Sequence, residues 1–156
     1  MNWQQVCGHS DLRNLPFKIE LNETGHILMS PVKVYHSTFQ GKVSTLFYFN
    51  MDGGGVLAEC AINTGMGTKV ADVARTSSER FERVRSEVQC SIAPKIYVEV
   101  ISDSHTNQEI NQKKALYFAM GALDVWICSE HGYMKFYDTD GELSASTLAP
   151  NFPRQI

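Results

Sequence analysis

The sequence has no apolar stretch long enough to cross a membrane. A transmembrane helix needs about 18–20 consecutive apolar residues, and no run in the 156 residues approaches that length. The first residues also lack a basic stretch followed by an apolar core, so they do not resemble a secretory signal. We therefore expect a cytoplasmic protein with no membrane partner.

Cysteine is scarce, and its spacing excludes several kinds of site. The four cysteines include no Cys-X-X-Cys pair, which argues against a zinc ribbon, a zinc finger and a dense disulfide framework. We expect reduced thiols that are partly buried in the core. Three consecutive glycines at 53–55 are not followed by Gly-Lys-Ser/Thr, so they do not form a nucleotide-binding phosphate loop.

Basic residues are fewer than acidic ones. Lys and Arg total 14 against 17 Asp and Glu, which gives a formal net charge of −3. This balance excludes a globally basic nucleic-acid-binding protein. Contact with DNA would require a local basic patch, or metal ions that bridge acidic side chains to phosphate.

The hydrophobic content of 43% is sufficient for one globular domain over residues 1–156. Short β-rich runs and helical segments alternate in the order β-β-α-β-β-α-β-α-β-β. This order predicts an α/β fold in which helices flank a mixed β-sheet. We expect an irregular lead-in over residues 1–16 and an irregular tail over residues 146–156.

Two acidic residues interrupt segments that are otherwise typical of buried strands. Glu99 lies within IYVEVI, and Asp72 lies within VADVA. A buried carboxylate costs several kcal/mol unless a cation or hydrogen-bond donors compensate it. Each residue could instead lie at a partly exposed strand edge, and Glu99 could pair with an arginine. On neighbouring strands, however, the two carboxylates would repel each other unless a divalent cation lay between them.

A lysine also occupies an unexpected position on the helix predicted after Glu99. At about 100° per residue, Lys113 shares the apolar face with Tyr117 and Met120, whereas Lys114 lies toward the flank. Lys113 could therefore present a functional ammonium group to the sheet. An ordinary helical ion pair with Glu109, four residues earlier, is an equally good explanation.

Four further polar residues are weaker candidates. Glu20 and Glu59 lie within short predicted strands, where surface or edge positions are the more common explanation. His36 and Gln40 lie one turn apart on the first long predicted helix, so they could face either a site or water.

Four segments occur in an order and spacing that resemble a known family. They are NLPFKIELNETGHILMSP (14–31), KVADVAR (69–75), APKIYVEVIS (93–102) and KKALYFAMGALDVWIC (113–128). These segments resemble the Uma-two family of restriction-endonuclease-like proteins, within the PD-(D/E)XK nuclease-like superfamily. The similarity covers nearly the whole chain. It implies a restriction-endonuclease-like core, in which a mixed sheet has helices on both sides.

The resemblance also implies an activity and a set of site residues. Asp72 corresponds to the aspartate of the PD motif, Glu99 to the acidic residue of the next strand, and Lys113 to a lysine that has moved onto the following helix. Glu20 matches a glutamate in the family's N-terminal strand motif and is a secondary catalytic candidate. The expected protein is a metal-dependent endonuclease that hydrolyses DNA, with Mg²⁺ (or Mn²⁺) held by Asp72, Glu99 and the main-chain carbonyl of Val100.

Two departures from the superfamily pattern support an alternative function. Ala71 replaces the proline before the aspartate, and Ile101 replaces the lysine two residues after the glutamate. The alternative is a catalytically inactive nuclease-fold module that serves in dimerisation or partner binding. We expect a homodimer in either case. The apolar C-terminal hairpin, which contains Trp126, Phe136 and Tyr137, is either part of the core or a dimer face.

Overall fold

The computed structural model of the protein describes residues 1–50 and 53–156. A single 3₁₀ turn lies at Ser10–Leu12. The other elements, in chain order, are α1 (Trp3–Gly8), β1 (Phe17–Leu21), β2 (Ile27–Pro31), α2 (Val34–Asn50), β3 (Gly55–Thr64), β4 (Gly67–Thr76), α3 (Ser78–Val84), β5 (Ile96–Val100), α4 (Asn107–Ala119), β6 (Asp124–Cys128), β7 (Met134–Asp138) and β8 (Gly141–Leu143).

The strands form one large mixed sheet and one small hairpin. The large sheet has the order β3-β4-β5-β6-β7-β8. Among the described strands, β5 and β6 pair in parallel and are connected through α4, whereas the other neighbours are antiparallel. The antiparallel hairpin of β1 and β2 forms a separate sheet, and β1 lies against β4. The predicted mixed sheet flanked by helices is therefore confirmed.

Helix α2 covers one face of the large sheet. Phe47 of α2 is fully buried, and its ring centroid lies 5.2 Å from that of Trp126 on β6. Trp126 in turn packs edge-on against Phe136 of β7, with 4.9 Å between centroids. Trp126 and Phe136 are fully buried, so they belong to the core and not to a dimer face. Tyr137, the third aromatic residue named in the sequence analysis, is partly exposed.

Helix α4 covers the opposite face. Its Tyr117 stacks on Tyr97 of β5, with ring centroids 4.3 Å apart, and both residues are fully buried. Because successive side chains of a strand point to opposite faces, the residues of β5 divide between the two layers. Val98 and Val100 join the cluster beneath α2. Glu99 shares the α4 side of the sheet with Tyr97.

The lead-in is more regular than the sequence indicated. Residues 1–16 were expected to be irregular, but they contain the helix α1. The reason is a capping box, in which the side chain of Asn2 accepts from the Gln5 main chain and the Gln5 side chain accepts from the Asn2 main chain. Val6 anchors this short helix by burying its side chain.

The C-terminal region contains one strand that the sequence analysis did not identify. Strand β8 extends the β7 hairpin by three residues, which gives the large sheet its last strand. Residues 146–156 form no helix or strand, and one isolated bridge connects Gln155 to Tyr133.

Two features bear on the expectations from composition. The four cysteines are free thiols, of which Cys7 is exposed and the other three are buried. No helix within residues 1–50 or 53–156 is both long enough and apolar enough to cross a bilayer.

One glycine controls how closely the β1–β2 hairpin approaches the large sheet. Gly67 begins β4 with φ +85°, a conformation that disfavours other residues. A Cβ atom at this position would lie 2.4 Å from the carbonyl oxygen of Leu21 and 2.3 Å from that of Asn22. The end of β1 therefore rests directly on the turn between β3 and β4.

Substituting this glycine is expected to destabilise the protein and displace the hairpin. Gly67→Ala should lower the free energy of unfolding by at least about 1–2 kcal/mol, the cost of left-handed backbone for an L-residue, because the steric clash adds to that cost. Gly65→Ala is the matched control in the same turn, since a Cβ there meets no atom within 4 Å. Denaturant unfolding of both variants checks this expectation, and equal losses would contradict it.

Candidate functional site

Strands β4 and β5 of the large sheet stop pairing at Asp72 and Glu99. The antiparallel ladder between β4 and β5 ends with the pair Val73–Val98, one residue before these two acidic residues would face each other. Beyond that point the Asp72 carboxylate itself accepts the main-chain N–H of Val100, at 2.7 Å from Oδ2. The predicted placement of Asp72 and Glu99 on adjacent strands is confirmed. Both side chains are buried at the point where the strands separate.

The other neighbour of β4 is also interrupted beside Asp72. The register between β3 and β4 passes from Ala58–Val73 to Cys60–Ala71 without pairing Glu59 with Asp72. Glu59 has a positive φ of 53°, a left-handed conformation that is uncommon outside glycine.

At this interruption, two side chains of helix α2 contact Asp72. The Gln40 side-chain amide donates to the main-chain oxygen of Asp72 at 2.8 Å and to the Glu59 carboxylate at 2.7 Å. His36, one turn earlier, places Nε2 3.1 Å from Oδ2 of Asp72. Both residues therefore face the site and not bulk water, and they fix the main chain and the carboxylate of Asp72.

Lys18 of β1 joins the two carboxylates. Its Nζ lies 2.7 Å from Oδ1 of Asp72 and 3.5 Å from Oε2 of Glu99. The sequence analysis did not identify Lys18. The available signal was its spacing from Glu20, because residues i and i+2 of a strand point to the same face.

Lys113 of α4 forms a second bridge. Its Nζ lies 3.2 Å from Oε1 of Glu99 and 3.0 Å from Oε1 of Glu20. The predicted difference between neighbouring lysines is confirmed, because Lys114 points away from the site and lies over the ring of Tyr137, 3.5 Å from its centroid.

The alternative partner of Lys113 has another role. The carboxylate of Glu109 accepts from the main chain and the hydroxyl of Thr106, at 2.7 and 3.1 Å, and so caps the start of α4. The helical ion pair proposed for Glu109 is therefore replaced by the capping box.

Two more contacts complete the surroundings of the glutamates. The hydroxyl of Tyr117 donates to Oε1 of Glu99, a role that its position on the apolar face of the helix did not reveal. The carboxylate of Glu20 accepts the main-chain N–H of Val70 at 2.9 Å. The expected site residues Asp72, Glu99, Lys113 and Glu20 thus lie together in one cluster.

Burial and charge act in opposite directions on the pKa values of these groups. For Asp72, burial would raise the pKa, but the hydrogen bond from His36 and the charge of Lys18 outweigh it and lower the pKa. For Lys18, burial would lower the pKa, but the charges of Glu99 and Asp72 raise it. For Glu99, burial is the largest influence and raises the pKa, while Lys113 and Lys18 oppose it. Glu99 is therefore the carboxylate least compensated by the surrounding cations.

The site as a whole carries an excess of negative charge. Its charged side chains are three carboxylates and two ammonium groups, contributed by Glu20, Asp72, Glu99, Lys18 and Lys113. Counted without the imidazole of His36, three negative and two positive charges leave a formal charge of −1. A cleft lined by these residues connects the site to solvent.

The donor atoms suit a hard divalent cation. Magnesium is commonly held by one or two carboxylates together with water and phosphate oxygens, and Asp72 and Glu99 are two carboxylates that already share a cation. The N–H of Val100 points toward Asp72, and in an extended strand the carbonyl of the same residue points to the same side. Within the described residues, no group of three or more His, Cys, Asp or Glu side chains is arranged to hold a metal. Asp72 and Glu99 would supply two carboxylate ligands to such an ion.

The fold has a counterpart among solved protein structures. The structure is similar to the crystal structure of "a putative nuclease belonging to DUF820" from Anabaena variabilis, with a TM-score of 0.74. The two sequences are 14% identical, and the similarity covers 99% of this chain and 94% of the other. At that identity the likeness shows a shared fold. No curated protein is similar enough in sequence to match the chain.

Family membership follows from the sequence itself. The model of the family Uma2, described as "Putative restriction endonuclease", matches residues 5–147. This range contains every residue of the charged cluster and the strands β1 to β8, and it leaves out residues 1–4 and 148–156. The protein is a member of the Uma2 family.

Proposed function

We propose that the protein is a metal-dependent endonuclease that hydrolyses phosphodiester bonds of DNA. The observation that carries this proposal is the shared cation at the open end of the sheet. Carboxylates from two adjacent strands contact the single ammonium group of Lys18, at 2.7 and 3.5 Å. A pair of carboxylates that binds one cation in a solvent-connected cleft is suited to bind another, and a divalent cation would recruit a phosphate.

The metal ligands in this proposal are Asp72, Glu99 and the carbonyl of Val100, with Mg²⁺ as the ion and Mn²⁺ as its substitute. The bound ion would supply Lewis-acid polarisation of a phosphate oxygen and a more acidic water molecule. His36 holds the Asp72 carboxylate in place through its contact at 3.1 Å. Gln40 holds the main chain of the same residue at 2.8 Å.

Lys113 acts as the catalytic cation of the protein. It takes the place of the superfamily's lysine, whose usual position two residues after Glu99 is occupied here by Ile101. The ammonium of Lys113 contacts Glu99 from the neighbouring helix at 3.2 Å. The Lys113 side chain is 28% exposed, against 7% for Glu99, so it can face a phosphodiester in the cleft. There it would stabilise the negative charge that develops on phosphorus-bound oxygens. Glu20 positions Lys113 from the opposite side, at 3.0 Å.

The surroundings of the cleft offer local positive charge despite the acidic chain. Besides the two site lysines, the exposed Lys33 lines the cleft. This residue would contact the DNA backbone, and binding through it would weaken as the salt concentration rises. DNA as the substrate, the homodimeric state and the cytoplasmic location remain predictions.

A catalytically inactive module for dimerisation or partner binding is the second candidate function. The observation that favours it is the charge compensation by Lys18 and Lys113, which allows Asp72 and Glu99 to be buried with no metal. Such a module would keep its fold in a chelator and would be insensitive to divalent cations. The following two experiments separate it from the nuclease.

Removing the Asp72 carboxylate is expected to abolish cleavage. Supercoiled plasmid should be nicked or linearised by the wild type in Mg²⁺ or Mn²⁺ and left intact in a chelator. Asp72→Ala should cleave at least about 100-fold more slowly, the scale seen when one electrostatic group of an active site is lost. Asp72→Asn, which preserves the shape of the side chain, separates loss of charge from misfolding.

The matched control for this experiment is Asp103→Ala, which removes an exposed carboxylate from the turn just after β5. Cleavage by this variant should stay within a few-fold of the wild type. If the wild type leaves plasmid intact in both metals, or if Asp72→Asn cleaves normally, the proposed nuclease mechanism is wrong.

Adjacent lysines on α4 provide the second test. Lys113→Ala should slow cleavage at least about 100-fold, because its ammonium faces Glu99 and the cleft. Lys114→Ala should stay within a few-fold, because its ammonium lies over Tyr137. Rates measured on the same plasmid under single-turnover conditions compare the two directly. Similar losses in both variants would indicate general attraction of phosphate, and unchanged cleavage in both would remove Lys113 from the mechanism.

A further inference from the structure

Lys18 has an environment unlike that of the other lysines near the cleft. Its side chain is only 11% exposed, and its ammonium contacts both proposed metal ligands. Lys113 contacts one of those ligands, Glu99, and its other ionic contact is with Glu20. Lys33, at the mouth of the same cleft, lies 5.7 Å from the ring centroid of Tyr35 and is exposed.

The two carboxylates do not depend on Lys18 alone. Asp72 also has the imidazole of His36 and the N–H of Val100. Glu99 also has the ammonium of Lys113 and the hydroxyl of Tyr117. Lys18 is therefore the one described cation that both carboxylates share, and removal of its ammonium leaves each of them with hydrogen-bond partners.

The element that carries Lys18 is also separate from the large sheet. Strand β1 pairs with β2 in its own hairpin and lies against β4 without joining the β-ladder of the large sheet. A lysine has a flexible four-carbon stem that allows its ammonium to move several ångströms. The Lys18 side chain lines the cleft, so the ammonium can withdraw from the carboxylates toward solvent without unfolding the sheet.

We propose that the Lys18 ammonium is an internal competitor for the divalent cation. It occupies the position between Asp72 and Glu99 in the metal-free protein and must leave that position when a metal binds. This inference rests on the proposed function, because it takes Asp72 and Glu99 as metal ligands. It predicts that the wild type binds metal more weakly than its carboxylates alone would allow.

The charge of the site is consistent with such an exchange. Three carboxylates and two ammonium groups give −1, and one divalent cation would change this to +1. A phosphodiester in the cleft would then return the site to neutrality, with the displaced ammonium of Lys18 beside it. The metal and the substrate phosphate together add one net positive charge. This is the same charge that the Lys18 ammonium supplies to the two carboxylates when no metal is bound.

The test measures Mn²⁺ binding without any nuclease assay. Binding to the purified full chain is followed by the loss of the free Mn²⁺ signal in electron paramagnetic resonance, and by the shift in Tm. Lys18→Met, which keeps the length of the stem, should bind Mn²⁺ at least tenfold more tightly than the wild type. Its Tm should be lower than the wild type in chelator and should rise more steeply with added Mn²⁺.

Two further variants make the result specific. Lys33→Met removes a positive charge from the mouth of the same cleft, and Mn²⁺ binding should change less than threefold. Lys18→Arg keeps the competing charge and should bind no more tightly than the wild type. Equal or weaker Mn²⁺ binding by Lys18→Met overturns the proposal. Its failure to fold even in millimolar Mn²⁺ would do the same, because the metal would then not replace the ammonium.

The outcome is distinguishable from failure of the proposed function. If Lys18→Met binds Mn²⁺ tightly but neither it nor the wild type cleaves plasmid, the competition stands and the nuclease proposal fails. If the wild type cleaves plasmid in Mg²⁺ but Lys18→Met gains no affinity, the nuclease proposal stands and Lys18 is only a structural counter-ion.

Discussion

The arrangement of the elements around the site depends on the burial of two acidic side chains where two strands of the sheet separate. A carboxylate that loses water costs several kcal/mol unless cations or donors replace it, and Asp72 and Glu99 are both almost inaccessible. Three elements packed around them each contribute a compensating group: Lys18 from β1, His36 from α2 and Lys113 from α4. The charged cluster thereby ties the hairpin and the two covering helices to the open strands.

Regular pairing in the sheet is interrupted around Asp72, which leaves space for the charged side chains. Both neighbours of β4 stop pairing beside Asp72, at Glu59 on one side and after Val73–Val98 on the other. Main-chain groups released there find side-chain partners, since the Asp72 oxygen accepts from Gln40 and the Val100 N–H donates to Asp72. Where β4 loses these ladder bonds, its main chain and the Asp72 carboxylate are held in place by side-chain hydrogen bonds instead.

Much of this arrangement could be predicted from the sequence, and the remainder depended on contacts between distant segments. Strand runs interrupted by an acid and a lysine on an apolar helix face predicted Asp72, Glu99 and Lys113, because local periodicity reports which side a residue faces. Lys18 was missed because its spacing from Glu20 shows only that the two residues share a face, and no local pattern encodes where the separate β1–β2 hairpin docks. The short helix α1 was missed because its capping box depends on side-chain amides, Asn2 and Gln5, that are also common in loops.

The central claim is that the carboxylates of Asp72 and Glu99 form a cation site that a divalent ion can take over from Lys18. A crystal structure of the protein grown with Mn²⁺ tests it most directly, since anomalous scattering identifies the ion without reference to activity. The account predicts an anomalous peak in contact with one oxygen of each carboxylate, with the Lys18 ammonium moved into the cleft. An Mn²⁺-soaked crystal with no peak there, and with Lys18 still bridging the two carboxylates, would contradict it.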